Sequence, residues 1–277
     1  MSVTLKRATT PAAVAYVILT LLGLFFLIPF AWLILAAINP SATFAVTMPG
    51  KPTVANFTGI ISSGLVGKPF LNSAILAVSV MILTVLLAGL AAYPLSRYQF
   101  RFKPILMYLV LFASGLPVLA MVTPLYAMYV KFNLVDTYAG VILFLVASSL
   151  PFNIWLMKNF LDSVPVELEE AAWVDGAGII GSFFRIVLPL TAPGAAVVGV
   201  FSFLGAWTNF FVPFIIFQSP DHMPASVNIY TFFGAYGQVN YGQLAAYAIL
   251  YGLPTVILFF FVSRFLARGM MMGALKG

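Results

Sequence analysis

Cysteine is absent, histidine occurs once, and only seven residues are acidic. Without cysteine there is no disulfide framework, thiol nucleophile or cysteine-based zinc site. A single His222 leaves nothing from which to assemble a catalytic dyad or a histidine metal cluster. Charge of either sign is scarce. Only 7% of the 277 residues are Asp, Glu, Lys or Arg, where a soluble domain carries about 25%. A soluble fold of this size could not cover its surface with so few charges. This excludes a water-soluble globular protein, a disordered chain and, despite a formal net charge of +6, a nucleic-acid binder. What fills the chain instead is apolar: 62% of the residues are hydrophobic and mean hydropathy is +1.08. The composition is that of an integral protein of the lipid bilayer.

Runs free of Lys, Arg, Asp and Glu cover 8–50, 69–96, 104–130, 137–157, 186–220 and 222–263. Each can hold the roughly 20 apolar residues that cross a bilayer core of about 30 Å. The spacing predicts six spans, at about 13–38, 70–93, 104–130, 138–160, 192–217 and 243–266. They are expected to be helices, because lipid offers backbone groups no partner and no alternating barrel pattern is present. The uncharged stretch 52–67 is rich in Thr, Asn, Ser and Gly and reads as a loop. Lys6 and Arg7 precede an uncharged run from 12 to 38. It exceeds the ~7–15 residue core of a cleavable signal, so it is read as a retained helix. With a cytoplasmic N-terminus, the inside segments hold Lys6, Arg7, Arg97, Arg101, Lys103, Lys158, Arg185, Arg264, Arg268 and Lys276, and the outside segments only Lys51, Lys68 and Lys131. The positive-inside bias then places both termini in the cytoplasm.

No charged residue lies deep inside a span, which argues against a proton- or ion-relaying carrier, although backbone carbonyls alone can bind sodium. No phosphate-cradling G-x-x-x-x-G-K-[ST] loop is present either; Gly67-Lys68-Pro69 is the nearest approach and ends in proline. Uphill transport would therefore draw its energy from another subunit. Pro29, Pro117, Pro124, Pro151, Pro213 and Pro254 lie in or near the ends of spans. Each removes a backbone donor and can kink its helix.

Five of the seven acidic residues fall in one segment, 161–191: Asp162, Glu167, Glu169, Glu170 and Asp175. Ser163 is placed to cap a short helix of about 165–175, with Pro165 and Glu167 in its first turn. Ala171 and Ala172 give a small-residue patch, Gly176 offers a stop, and Phe183, Phe184, Ile186 and Val187 follow as an apolar stretch. An acidic, solvated connector is the plain alternative. Such a connector has no need of two alanines, a glycine stop and an apolar second half.

Glu170-Ala171-Ala172, Gly176, Ile186 and Leu188-Pro189 resemble, at matching spacing, the EAA loop of binding-protein-dependent ABC importer permeases. The approach from Pro151-Phe152 to Asn159-Phe160 and Val164-Pro165 is similar to that of carbohydrate-uptake permeases. So is the stretch 134–143, LVDTYAGVIL, and the tail 273–277 resembles that of the maltose-type MalG permeases. The resemblance implies an all-α integral membrane protein of the MetI/MalG-like permease fold, a single permease domain over 1–277 with the coupling loop at about 161–191. It implies that this loop carries a coupling helix seated in a cleft of a separate ATP-binding subunit. Glu170 would then pair with a basic group of that subunit, Ala171 and Ala172 would let the helix seat closely, and Gly176 would turn the chain away. Asp175, Ile186, Leu188 and Pro189 complete the matched positions. The tail 269–277 would reach toward the same subunit.

The segment 218–242 is polar and aromatic. Read plainly it is an interfacial loop with His222 facing solvent. By resemblance it faces an extracytoplasmic binding protein, through Asn228, Tyr230, Phe233, Tyr236 and Gln238, with Phe232 beside them. In the fifth span, Trp207, Thr208 and Asn209 occupy the place of the family's Trp-Asn-acidic stretch, with two departures. Asn209 is then a substrate-path residue or an interhelical hydrogen-bonding one. Asn72, with Ser73, and Asn153, with Trp155, are further path candidates.

The expectation is a permease subunit of an ATP-driven sugar or oligosaccharide importer. Its partners would be a second homologous permease, two ATP-binding subunits and a sugar-binding protein. The chain itself would have no catalytic site, metal or cofactor, ATP and Mg belonging to the partner. The alternatives are another importer solute, such as glycerol-3-phosphate, phosphate or a polyamine, or a stand-alone secondary carrier.

Overall fold

The computed structural model describes residues 12–233 and 239–274. Among these the regular structure is helical, apart from one isolated antiparallel bridge between Phe233 and Val239. Two compact units emerge, one from the chain up to Gly64 with Thr231–Tyr251, the other from Leu65–Tyr230 with the chain from Gly252 onward.

In the first unit, α1 (Ala12–Ala37) is exposed at every position from 14 to 31, as a helix bathed in lipid can be. After it the chain turns on two asparagines. Asn56 donates from Nδ2 to the carbonyls of Ala37 and Asn39, both at 3.0 Å, and Asn39 Oδ1 accepts the Ser41 N–H. Asn56 sits in α2 (Ala55–Ser62), where it and Ile60 form the buried face. The stretch read as a loop thus contains a two-turn helix. Its Thr and Ser hydroxyls fold back onto the helix's own carbonyls, a use of polar residues that composition does not distinguish from a loop.

The second unit is built on α3 (Gly67–Arg97), α6 (Tyr138–Asp162) and α9 (Leu188–Trp207), which pack on one another. Ala88 and Ala92 of α3 let the helices approach closely. Met157 and Leu161 of α6 and Val187 and Val198 on either side of the start of α9 close the cluster. Small residues at helix contacts are the usual membrane solution, since lipid supplies no hydrophobic drive to association.

Five helices among the described residues are long and apolar enough to cross a bilayer alone: α1, α3, α6, the continuous Ile179–Trp207 path and Tyr241–Val262 of the last described helix (Tyr241–Ala274). The expected third span is instead two helices, α4 (Lys103–Ser114) and α5 (Val118–Lys131). Pro117 takes extended backbone at the break and its ring disfavours helical geometry at Leu116. The expected fifth span, 192–217, is also corrected. Its helix stops at Trp207, and α10 (Phe211–Ile216) starts anew. Asn209 Oδ1 accepts the Val212 N–H at 3.0 Å, satisfying a donor that the start of α10 leaves open.

The turn from α5 to α6 shows why the chain reads Thr137-Tyr138-Ala139-Gly140. Thr137 Oγ1 accepts the Gly140 N–H at 3.1 Å and donates to the Leu134 carbonyl at 2.8 Å, while the Tyr129 hydroxyl donates to the Gly140 carbonyl at 2.9 Å. A Cβ on Gly140 would lie 2.3 Å from the Leu134 carbonyl oxygen. Gly140→Ala is therefore expected to cost roughly 1–3 kcal/mol, read as a lowered thermal midpoint of the purified protein. Gly205→Ala, whose added methyl meets nothing within 4 Å, should leave the midpoint unchanged or raise it.

Candidate functional site

The acidic segment begins where α6 ends. Ser163 closes α6, its Oγ donating to the Phe160 carbonyl at 2.6 Å, so it does not cap the next helix as expected. α7 (Glu167–Val174) starts after Pro165, whose ring disfavours helical backbone at the residue before it, with Val166 at the N-cap and no side-chain cap. What steadies this helix start is charge. Glu167, Glu169 and Glu170 all lie in the first turn, beside the positive end of the helix. At the other end Gly176 adopts φ +87°. Its N–H donates to the Trp173 carbonyl and the Ala177 N–H to the Ala172 carbonyl. These two bonds are a Schellman closure, which requires a left-handed residue at the glycine position.

Neighbouring glutamates in α7 face opposite worlds. The Glu169 side chain is 1% exposed and forms an ion pair with Nε of Arg97, at the end of α3, while accepting the Tyr93 hydroxyl at 2.8 Å. Glu170 and Ala171 are exposed, as are Asp175 and Gly176, with Ala172 half-buried. Trp173 ties α7 to α8 (Ile179–Ser182), its Nε1 donating to Ser182 Oγ at 2.9 Å. A π-helical turn, Phe183–Val187, feeds α9. Ala172, Asp175, Gly176, Ala177, Arg185 and Ile186 line a groove of about 280 Å³, while Leu188 and Pro189 are exposed where α9 begins. Apolar side chains are displayed beside it, with Val174 88% and Ile180 75% exposed. A rigid, acidic, apolar-edged knob of this kind is suited to seating in a protein cleft. The inward partner of Arg97 is a residue that sequence reasoning missed; the signal available was only the doubled Glu169-Glu170.

At the opposite end of α3 the polar residues form a knot. Asn72 Nδ2 donates to the carbonyls of Asp221 (2.9 Å) and Met223 (3.1 Å), and its Oδ1 accepts the Tyr138 hydroxyl at 2.7 Å. Ser73 Oγ accepts the Ala225 N–H at 2.9 Å. Asp136, at φ +59°, receives the N–H groups of Gln218 (3.0 Å) and Ser219 (3.1 Å), the Ser219 hydroxyl, and His222 Nδ1 at 3.1 Å. The Ser219 hydroxyl, then the two backbone N–H groups, hold the Asp136 carboxyl well below the usual carboxylate range. Lys68, at 2.6 Å, lowers that of Asp221. His222, expected to face solvent, is partly buried between the rings of Tyr138 and Phe217. Its partner Asp136 is the second residue that sequence reasoning missed.

The other path candidates are scattered. Trp207 is buried and stacked on Phe203 at 5.7 Å. Thr208 is exposed and its hydroxyl donates to the Leu204 carbonyl. Asn209 is half-buried at the helix break, its carbonyl accepting the Ser226 hydroxyl at 2.8 Å. Asn153 is buried in α6, bonded from Nδ2 to the Ser149 carbonyl, with its Oδ1 meeting no donor among the described residues. Asn228 Nδ2 donates to the Leu65 carbonyl at 3.0 Å. Tyr230 is exposed, stacked on the ring of Phe214 and tilted against that of Phe210, and Phe233 is exposed. Tyr236 and Gln238 lie outside the described residues, as do the basic residues 6 and 7 and the last three positions of the tail. No group of three metal-ligating His, Asp or Glu side chains occurs among the described residues.

Residues 84–271, which include Arg97, the whole of α7 and Gly176, match the family of binding-protein-dependent transport system inner membrane components. The chain belongs to that family. This inner membrane component is 32% identical over 266 residues to the maltodextrin transport system permease protein MdxG of Bacillus subtilis strain 168, covering 95% of each chain. It is 29% identical over 270 residues to the diacetylchitobiose uptake system permease protein NgcG of Streptomyces coelicolor, covering 96% of this chain and 89% of the other. Its fold is that of a chain in the crystal structure of a bacterial ABC transporter involved in the import of the acidic polysaccharide alginate. The TM-score is 0.79 at 17% identity, with 95% of this chain and 99% of the other covered. The family member is thus an all-α, multi-pass inner-membrane permease, as its apolar spans require.

Proposed function

We propose that this permease is one membrane subunit of an ATP-binding cassette importer that moves a sugar or oligosaccharide handed over by an extracytoplasmic binding protein. The observation that carries the substrate class is the 32% identity, across 95% of both chains, to a maltodextrin permease. Relatives named for arabinooligosaccharides and for trehalose and maltose, both at 30% identity, support it. A second permease would complete the pathway and two ATP-binding subunits would supply ATP and Mg. The basic residues favour a cytoplasmic side holding both termini and α7. On this reading α7 is the coupling helix. Glu170, Ala171, Ala172, Asp175 and Gly176 face the ATP-binding subunit, while Ile186, Leu188 and Pro189 shape the exit into α9. Trp207, Thr208, Asn209 and Asn153 belong to the pathway wall, Asn72 to its outer clamp, and Asn228, Tyr230, Phe233, Tyr236 and Gln238 to the face met by the binding protein. ATP and the loaded binding protein must prefer the same conformer, since only differential affinity shifts a population.

The test is reconstitution in proteoliposomes with the products of the neighbouring genes. Uptake of a labelled oligosaccharide should need ATP on the α7 side and binding protein on the other. Uptake by this chain alone, without ATP, would overturn the proposal. So would ATP-dependent uptake of glycerol-3-phosphate, phosphate or a polyamine with no response to any sugar.

A further inference from the structure

The ion pair at the root of α7 is built unlike a surface salt bridge. The side chains of Arg97 and Glu169 are 7% and 1% exposed. Both carboxylate oxygens are used, one by Arg97 Nε and one by the Tyr93 hydroxyl. The same guanidinium donates from Nη1 to the Leu161 carbonyl at 3.1 Å and to Ser96 Oγ at 3.2 Å, and the Ser96 hydroxyl donates to Asp162 at 2.6 Å. One cation therefore joins the last turns of α3 and α6 to the first turn of α7. Elsewhere α7 packs mainly on α8 and on the π-helical turn, and its polar ties to α3 meet at Glu169, from Arg97 and from Tyr93.

Location and stiffness together point beyond scaffolding. Charges withdrawn from water resist separation, because each would be left unpaired in an apolar setting. Directional bonds to both carboxylate oxygens also fix orientation. A displacement of α7 cannot be absorbed at such a joint as it would be at a hinge of apolar contacts. It must move Arg97, and with it α3, the helix around which α6 and α9 pack.

We propose that the buried Arg97–Glu169 pair, steadied by Tyr93, is the strut that converts movement of α7 into movement of α3, and so sets how much solute crosses per ATP hydrolysed. Arg97 and Glu169 are positioning residues; neither meets solute or nucleotide. This rests on the reading of α7 as the helix that seats in the ATP-binding subunit.

The experiment compares wild type, Glu169→Gln, Arg97→Gln and the exchange Arg97→Glu with Glu169→Arg in the complete reconstituted importer. It records sugar transported, ATP hydrolysed and the amount of ATP-binding subunit retained. In the single variants the subunit should stay bound and hydrolysis continue, while sugar moved per ATP falls about tenfold; the exchange should recover part of that ratio. A merely structural pair would lower transport and hydrolysis together, and an unchanged ratio in the assembled single variants overturns the proposal. Loss of the ATP-binding subunit from the wild-type complex would instead defeat the docking reading beneath it. Should the single variants fail to assemble, Arg97→Met with Glu169→Leu keeps apolar packing without charge. A normal ratio there also overturns the strut, and a lowered one supports it.

Discussion

Glu170→Lys is expected to lower retention of the ATP-binding subunit, and with it sugar uptake, on the order of 100-fold, corresponding to about 3 kcal/mol of lost association. The folded chain should lose far less. Glu170 is exposed and takes part in no ion pair or side-chain hydrogen bond among the described residues, so the cost to the fold is its share of the charge at the helix start, about 1 kcal/mol. One turn of reasoning separates it from Glu169. Successive helix residues point about 100° apart, so with Glu169 turned in onto Arg97, Glu170 is held on an exposed face of α7. A basic partner there would meet a lysine in place of a carboxylate, exchanging attraction for repulsion in a desolvated contact. Pull-down of the ATP-binding subunit and the thermal midpoint of the permease separate the two effects. Retained coupling in a folded Glu170→Lys chain would remove Glu170 from the interface.

What the sequence disclosed and what it concealed divide along physical lines. Long apolar runs were legible because the bilayer imposes a length on every span. The breaks inside them were not. The run 104–130 carries no charge, and proline or glycine within a membrane helix is often accommodated by its neighbours, so Pro117, legible as a possible kink, did not by itself announce that Gly115, Leu116 and Pro117 part α4 from α5. Apolar residues likewise continue past Trp207, yet Asn209 spends its side chain on starting α10.

The acidic segment shows the same division at higher resolution. Its helix, its glycine closure and its small residues are short-range signals, and all of them could be read from ten consecutive letters. Which of two adjacent glutamates turns inward depends on an arginine 72 positions earlier, and no periodicity in α7 encodes that choice. The knot around Asp136 is more distant still, its donors lying 82 to 86 positions downstream. Scarcity itself was the overlooked clue. In a chain with seven carboxylates, two outside the acidic segment, Asp136 and Asp221, had strong reason to be engaged.

Asp136→Ala should then be the most damaging single change at the end of the molecule opposite α7, lowering stability by about 3 kcal/mol. Roughly 2 of these come from hydrogen bonds to an ionised acceptor, discounted because the knot is partly wet, and about 1 from placing alanine where φ is +59°. Asp136→Asn separates the two, since asparagine tolerates that backbone and loses only the charge. The pH profile carries a sign that can be checked. The folded carboxyl titrates below its unfolded value of about 3.9. Its contribution is therefore fully present above that value and lost as pH falls toward the folded one. Between pH 7 and 5 the difference in thermal midpoint between wild type and either variant should stay constant, and below about pH 4 it should shrink. Proteolysis of the segment around Ser219 should rise in both variants at neutral pH, because Asp136 alone gathers the Gln218 and Ser219 N–H groups and His222. A midpoint gap that instead changed between pH 7 and 5 would remove the Asp136 carboxylate as the source of the knot's stability.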